Sequence, residues 1–327
     1  MNVPVWVWLV TVGAATAFLL ADVFIIGRRP HEPSMKESAQ HLAFFVAAAV
    51  AFGFGVWAFA GGRFAAEYFA GWLTEYSLSV DNLFIFLIIM SKFAVPRQLQ
   101  QSALLVGIIL ALVFRGIFIG VGAAAINNFS WIFYLFGAFL IWTAVKLARE
   151  GQSEDDEFEE NALIRWTQNH LPATDQYHGA HLTVRQDGRR VMTPMLVVLI
   201  SLGTTDLLFA LDSIPAIYGL TKEPYLVLMA NIFALMGLRQ LYFLIGGLLQ
   251  RLVYLSLGLS FLLFFIGVKL VLHALHENEL PFINGGEHVG WAPDIPIWLS
   301  LVVIVGTLAV TAIASLAKTR REERATV

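Results

Sequence analysis

The chain has no cysteine, so neither a disulfide nor a thiolate nucleophile or metal ligand can be built from it. Charge is scarce too. Asp, Glu, Lys and Arg make up 14% of the 327 residues, while 58% are hydrophobic. That balance excludes an ordinary soluble domain. The net charge is −3 and no basic stripe is present, which argues against nucleic acid as a partner. Histidine is absent from the middles of the apolar runs: His41, His273 and His276 sit at their edges and the others lie in loops, so no Cys/His zinc set is expected. The first run, Pro4–Ile26, lacks a basic residue ahead of it and is followed by Gly27-Arg28-Arg29, the reverse of a signal peptide. It reads as a retained transmembrane helix.

What the chain does have is membrane-length apolar sequence. A bilayer core needs ~20 apolar residues per helix, and nine spans meet this: roughly 4–27, 41–62, 70–91, 101–124, 128–147, 193–219, 224–250, 252–275 and 294–316. The expected fold is therefore all-α, a polytopic membrane helix bundle forming one domain over 1–327. The short turns after the fourth and seventh spans predict tight helical hairpins. With the N-terminus outside, 16 of the 21 basic residues fall on the cytoplasmic side and only Arg63 and Lys222 on the other. This bias predicts an outside N-terminus and a cytoplasmic C-terminus. The one long loop, 148–192, would then be cytoplasmic. It carries the acidic run Glu154–Glu160, an amphipathic piece at Leu163–Trp166, and a β-hairpin pattern over His181–Thr193 around Asp187-Gly188. Such an acidic run is more often a solvated loop than a metal collector.

Two of the spans bury acids in the same pattern. Gly71–Met90 holds Glu75 and Asp81, and Pro194–Ala216 holds Asp206 and Asp212, six residues apart in each. An ionised side chain in mid-membrane costs about 2.5–3.5 kcal/mol on insertion scales, so these groups are expected to face a cavity or a partner. Aligning Asp81 with Asp212 also brings Arg115 onto Arg239 and Lys146 onto Lys269, each on the following helices. The chain thus reads as two three-helix repeats, 70–147 and 193–275. With three spans each they must be inserted in opposite senses, an arrangement that favours transport, with the site at the repeat interface. The other three spans are additions around this core.

Six residues turn a helix by about 240° net, so the two acids of a pair cannot share a face. Either the helices break or the acids have different tasks. Pro215 favours a break in the second copy, since it leaves the carbonyl of Leu211 without its donor beside Asp212. In the first copy Asn82 offers an amide oxygen beside Asp81. Oxygen-only ligands suit a hard divalent cation such as Mn²⁺, Mg²⁺ or Ca²⁺. The candidate metal ligands are Asp81, Asp212, Asp206, Glu75 and Asn82. Arg115, Arg239 and Lys269 are expected to form structural salt bridges, Asn231 an interhelical hydrogen bond, and Met229 and Met236 core packing. Asp22, near the end of the first span, reads as structural or as part of an entry path. No Gly-x-Gly-Asp context surrounds the membrane aspartates, so an intramembrane hydrolase ranks last and the chain is not expected to be an enzyme. No permanent cofactor is expected. The partners are a transported divalent ion, the bilayer and protons as coupling ion, with a homo-oligomer left open.

The segments SLSVDNLFIF (Ser77–Phe86) and TTDLLFALDSIPA (Thr204–Ala216) resemble those of the TerC family, in its Alx-like branch within the LysE-type exporter group. NIFALMGLRQLYFL (Asn231–Leu244) and DGRRVMTPM (Asp187–Met195) support the resemblance, which covers most of the chain. It implies a multi-pass protein of the bacterial inner membrane linked to Mn²⁺ export, alkaline-pH or tellurite-resistance phenotypes and metal supply to exported enzymes. It also implies that Glu75, Asp81, Asp206 and Asp212 line the ion pathway. One departure stands out: Gly203 occupies a position where many relatives carry an acid. The competing reading is a membrane scaffold that recruits partners through the 148–192 loop.

Overall fold

The computed structural model describes residues 3–28, 34–129, 131–150, 174, 176–186, 189–245, 254–278, 280–293 and 295–325. Within the helices it leaves out the side chains of 19–28, 81, 84, 127, 150, 212, 245 and 320–325. The helices are α1 (Val5–Arg28), α2 (Met35–Ala60), α3 (Gly62–Lys92), α4 (Arg97–Asn128) and α5 (Ile132–Glu150). After a β-hairpin come α6 (Pro194–Tyr218), α7 (Pro224–Ile245), α8 (Leu255–His276) and α9 (Ile297–Ala325). Among the described residues, the eight helices α2–α9 are long and apolar enough to cross a membrane, and α1 contributes a shorter apolar stretch, Val5–Phe18. The protein is an all-α, multi-pass membrane bundle. Helices outrun the apolar windows: α3 begins at Gly62 rather than near 70, because Arg63 and Glu67 stay helical beyond the apolar stretch.

Local sequence sets the boundaries. Ser34 caps α2 by accepting from the Glu37 amide at 3.2 Å. The turn from α2 to α3 is a single residue, Gly61, at φ +99°, a conformation that side chains resist. Between α5 and α6, β1 (Thr183–Gln186) and β2 (Arg189–Met192) pair antiparallel with Gln186 opposite Arg189, the register of a two-residue turn. The acidic run at 154–160 and the piece at 163–166 lie outside the described residues.

Two expectations are corrected. The helix break at Pro215 does not occur, since α6 runs unbroken through it. Proline removes one hydrogen bond, and the turns around it are held by buried Ile214, Ala216, Ile217 and Tyr218, which pack into the core. The turn from α4 to α5 is short as expected, yet these helices form no packed hairpin; α5 lies along α8 instead. Turn length fixes only the connection, whereas matching faces fix the partner. The turn between α7 and α8 lies outside the described residues.

The core packs α3 on α7, α4 on α6 and α5 on α8, a pattern unchanged when the triplets α3–α5 and α6–α8 are exchanged. One contact shows this in detail. A Cβ on Gly137 would lie 2.8 Å from the Gly267 carbonyl oxygen, and one on Gly267 2.9 Å from that of Gly137. In the alignment that matches Lys146 with Lys269, Gly137 corresponds to Ser260 and Gly267 to Ala144. Ser260 and Ala144 meet as well, through a hydrogen bond from Ser260 Oγ to the Ala144 carbonyl at 2.8 Å. Small residues allow this close approach. Within its membrane window α7 is 78% buried and α9 only 11%, which puts α7 at the centre and α9 at the edge.

Candidate functional site

Arg115 of α4 is the meeting point of four helices and is wholly buried. Its Nη1 forms an ion pair with Glu75 of α3. Nη2 donates to Asp206 Oδ1 of α6 at 3.1 Å, and Nε to Oδ2 at 3.4 Å, so the guanidinium fork engages that carboxylate twice. Asn231 of α7 accepts from Nη1 at 3.1 Å and donates its own amide to the Val227 carbonyl at 2.9 Å. Ser79 adds a hydroxyl to Glu75 Oε1 at 3.3 Å. Glu75 is 0% and Asp206 2% exposed. Glu75 and Asp206 are corresponding positions of the two triplets, so one cation holds the matching acid of each copy.

Among the described residues, several buried oxygens have no partner. Glu75 Oε2 is buried without a hydrogen bond, as are the hydroxyls of Thr74, Thr205 and Ser213. Helical hydroxyls normally turn back to a preceding carbonyl, as Ser77, Ser201 and Thr204 do. Thr74 and Thr205 do not, and they too are matching positions, each one residue before an acid. Buried polar groups are rarely left unsatisfied, and by helix register Thr74 and Thr205 lie on the sides of α3 and α6 that carry Asp81 and Asp212.

Helix register explains the six-residue spacing. Ser79 and Asn82 follow Glu75 by four and seven residues, and so the three lie on one side of α3. Asp206 and Ser213 repeat this in α6. Asn82 therefore shares the side of Glu75 and not that of its neighbour Asp81. Asp81 and Asp212 sit on unbroken helices about 120° around from the acids that meet Arg115. Their side chains lie outside the described ones, as does that of Asp22. Among the described residues, no three acidic or histidine side chains form a metal-binding group.

The other basic residues point elsewhere. Arg239 is buried in α7; with the Gln240 amide oriented to satisfy both of its ends, Nη2 donates to Gln240 at 2.7 Å. Lys269 of α8 donates to Ser300 of α9 at 3.1 Å. Gly203 faces Leu110 and Phe114 of α4, with room for a Cβ at 3.5 Å. An acid there would meet apolar neighbours next to Arg115.

A second polar region was not anticipated. At the end of the bundle bearing the α2–α3 and α6–α7 turns, a cavity of about 480 Å³ is lined by charged groups from both. Glu67, 5% exposed, is held by Arg63 Nε at 2.9 Å and by the Thr221 hydroxyl at 2.7 Å. Lys222 pairs with Glu277 at 2.8 Å and lies over the Phe133 ring, and His273 Nε2 reaches Glu277 at 3.2 Å. Burial pushes the Glu277 carboxyl up, but the Lys222 hydrogen bond and the nearby His273, Lys222 and His276 charges outweigh it and lower its pKa. The signal for this region was the pairing of Arg63 with Glu67 four residues on. Ser79 had an equivalent signal in its four-residue spacing from Glu75.

The model of the integral membrane protein TerC family matches residues 60–323. An uncharacterized membrane protein of Mycobacterium tuberculosis is 48% identical over 312 residues, covering 94% of this chain and 78% of its own length. An uncharacterized membrane protein of Myxococcus xanthus is 37% identical over 313 residues, covering 96% and 92%. The Escherichia coli K12 protein Alx, described as a putative membrane-bound redox modulator, is 37% identical over 305 residues, covering 90% and 89%. No solved structure matches.

Proposed function

Because the chain belongs to the TerC family of integral membrane proteins, we propose that it is a secondary transporter exporting a divalent metal cation, Mn²⁺ first among them. The observation that carries this reading is the convergence of Glu75 and Asp206, matching acids of two helix triplets, on one buried point. Buried carboxylates are costly, and duplicating them at the junction of two exchangeable triplets suits a site opened alternately to either side. Asp81, Asp212 and Asn82 extend the set along the same two helices. All are oxygen donors, matched to a hard ion rather than to copper or to a thiolate-held zinc.

In this mechanism the ion enters from the cytoplasm, exchanges hydration water for carboxylate oxygens, and leaves when the triplets rock. Inward protons reset the acids. The charge bias of the loops supports an inner-membrane orientation with the N-terminus outside and the C-terminus in the cytoplasm. The redox label of the Alx relatives fits the same reading indirectly. This chain contains no cysteine, so an effect on redox balance would run through metal supply and not through thiol exchange.

Reconstitution into proteoliposomes tests the reading. The parent should move Mn²⁺ in exchange for protons, opposite to the direction in which an imposed gradient drives them, and Asp81→Asn and Asp212→Asn should each abolish the flux. Parental rates in both variants would refute this assignment of the site.

A further inference from the structure

We propose that Arg115 is a tethered stand-in for the transported cation. Its guanidinium holds Glu75 and Asp206 together when no ion is bound, and an incoming divalent ion must displace it. The inference rests on the transport reading above and adds a built-in competitor to that site.

The position is the first argument. One wholly buried guanidinium bridges the two acids that correspond between the triplets, which is where a shared ion would sit. Unused capacity is the second. A salt bridge that only braces a fold is stable when its acceptors are saturated. Among the described residues, Glu75 Oε2 and the hydroxyl of Ser213, on the side of α6 that carries Asp206, stay buried and unpartnered. The site offers more oxygens than a planar fork takes up, while a divalent cation of this class takes six or more. Charge is the third. Two carboxylates against one guanidinium leave a net −1, whereas a divalent ion balances both. Asn231 supplies the last element. It is neutral, it bonds Nη1 at 3.1 Å, and it lies on α7, so it gives the departing guanidinium a partner that does not repel a cation.

Displacement has a measurable signature. A tethered competitor lowers the apparent affinity of the parent by the fraction of sites it occupies, so its removal tightens metal binding. Purified full-length Arg115→Gln should bind Mn²⁺ about tenfold more tightly than the parent, read as a larger rise in Tm at equal Mn²⁺ concentration. It should transport poorly, because the ion is no longer expelled. Adding Glu75→Gln to Arg115→Gln should remove the gain. Arg115→Lys, which keeps the charge without the fork, should fall between the parent and Arg115→Gln. A folded Arg115→Gln whose Mn²⁺ response equals the parent's overturns the proposal. So does loss of both single variants even when they are purified in Mn²⁺, because Arg115 would then be a structural lock. The two readings fail separately: transport by the parent that depends on Asp81 and Asp212, with no affinity gain in Arg115→Gln, sinks only the displacement. A parent that transports no divalent ion sinks the transporter.

Discussion

At the centre of the bundle Arg115 meets Glu75 and Asp206, and none of the three side chains is more than 2% exposed. At the end near Gly61, Lys222 meets Glu277 with both side chains nearly half exposed, at 45% and 46%. Arg63 and Glu67 stand between these cases, one side chain 80% exposed and the other 7%. The end pair, at 2.8 Å, is in fact shorter than Arg115–Asp206, one of the two central pairs, at 3.1 Å. Distance is therefore a poor guide to what each contributes. Water screens the outer pair and competes for its hydrogen bonds, so an exposed bridge contributes about 0–1 kcal/mol. In the core nothing replaces a lost partner, and removing one leaves a stranded charge.

The sharpest way to break the comparison is Arg115→Met, measured by equilibrium unfolding in detergent without added metal. It strands two carboxylates and should cost about 3–5 kcal/mol. A loss below about 1 kcal/mol would put the central cluster in the same class as the outer one. The mixed case comes next. Glu67→Gln keeps the shape but leaves Arg63 and Thr221 with a weaker acceptor, and should cost about 1–3 kcal/mol in the same assay. Lys222→Ala should have the smallest effect, within about 1 kcal/mol, shrinking further at high salt. Its mark lies in pH dependence. The Glu277 pKa is lowered on folding, so its contribution is complete above the ordinary carboxylate value of 4.5 and fades as pH falls below that through the folded value. Melting curves of parent and Lys222→Ala taken from neutral pH downward should therefore converge at acid pH. Curves that stay parallel would show that Lys222 does not hold that carboxylate.

The fold was readable wherever the cause is local. Apolar length marked the spans, and Asp187-Gly188 between alternating residues marked the hairpin whose strands pair at Gln186 and Arg189. Partner choice was not readable. The short link from Asn128 to Ile132 suggested a hairpin, but α5 follows the small residues Gly137 and Ala144 to α8. Pro215 predicts a break from local chemistry, whereas the packing of Ile214, Ala216, Ile217 and Tyr218 holds the turns around it. At the site, the acids stood out because charge in an apolar run is conspicuous. Their division between two sides of each helix follows from their spacing. The choice of Arg115 as the common partner of Glu75 and Asp206 does not, because it depends on α3, α4 and α6 meeting in space. The orphaned Thr74 and Thr205 hydroxyls were invisible for the same reason: in sequence a threonine gives no sign of whether it will find an acceptor.

The central arginine also bears on how the chain can be assembled in the membrane. A lone arginine at the middle of a helix opposes insertion by about 2.5–3.5 kcal/mol. Glu75, its partner on α3, belongs to the helix synthesised immediately before α4, so the two can enter the bilayer as a neutralised pair. Asp206 lies 91 residues after Arg115, on a helix made only after α5 and the hairpin. Its double hydrogen bond to Arg115 closes the contact between the triplets. The order of synthesis thus sets an order of charge: the first half carries its own counter-charge, and the second half brings the excess carboxylate.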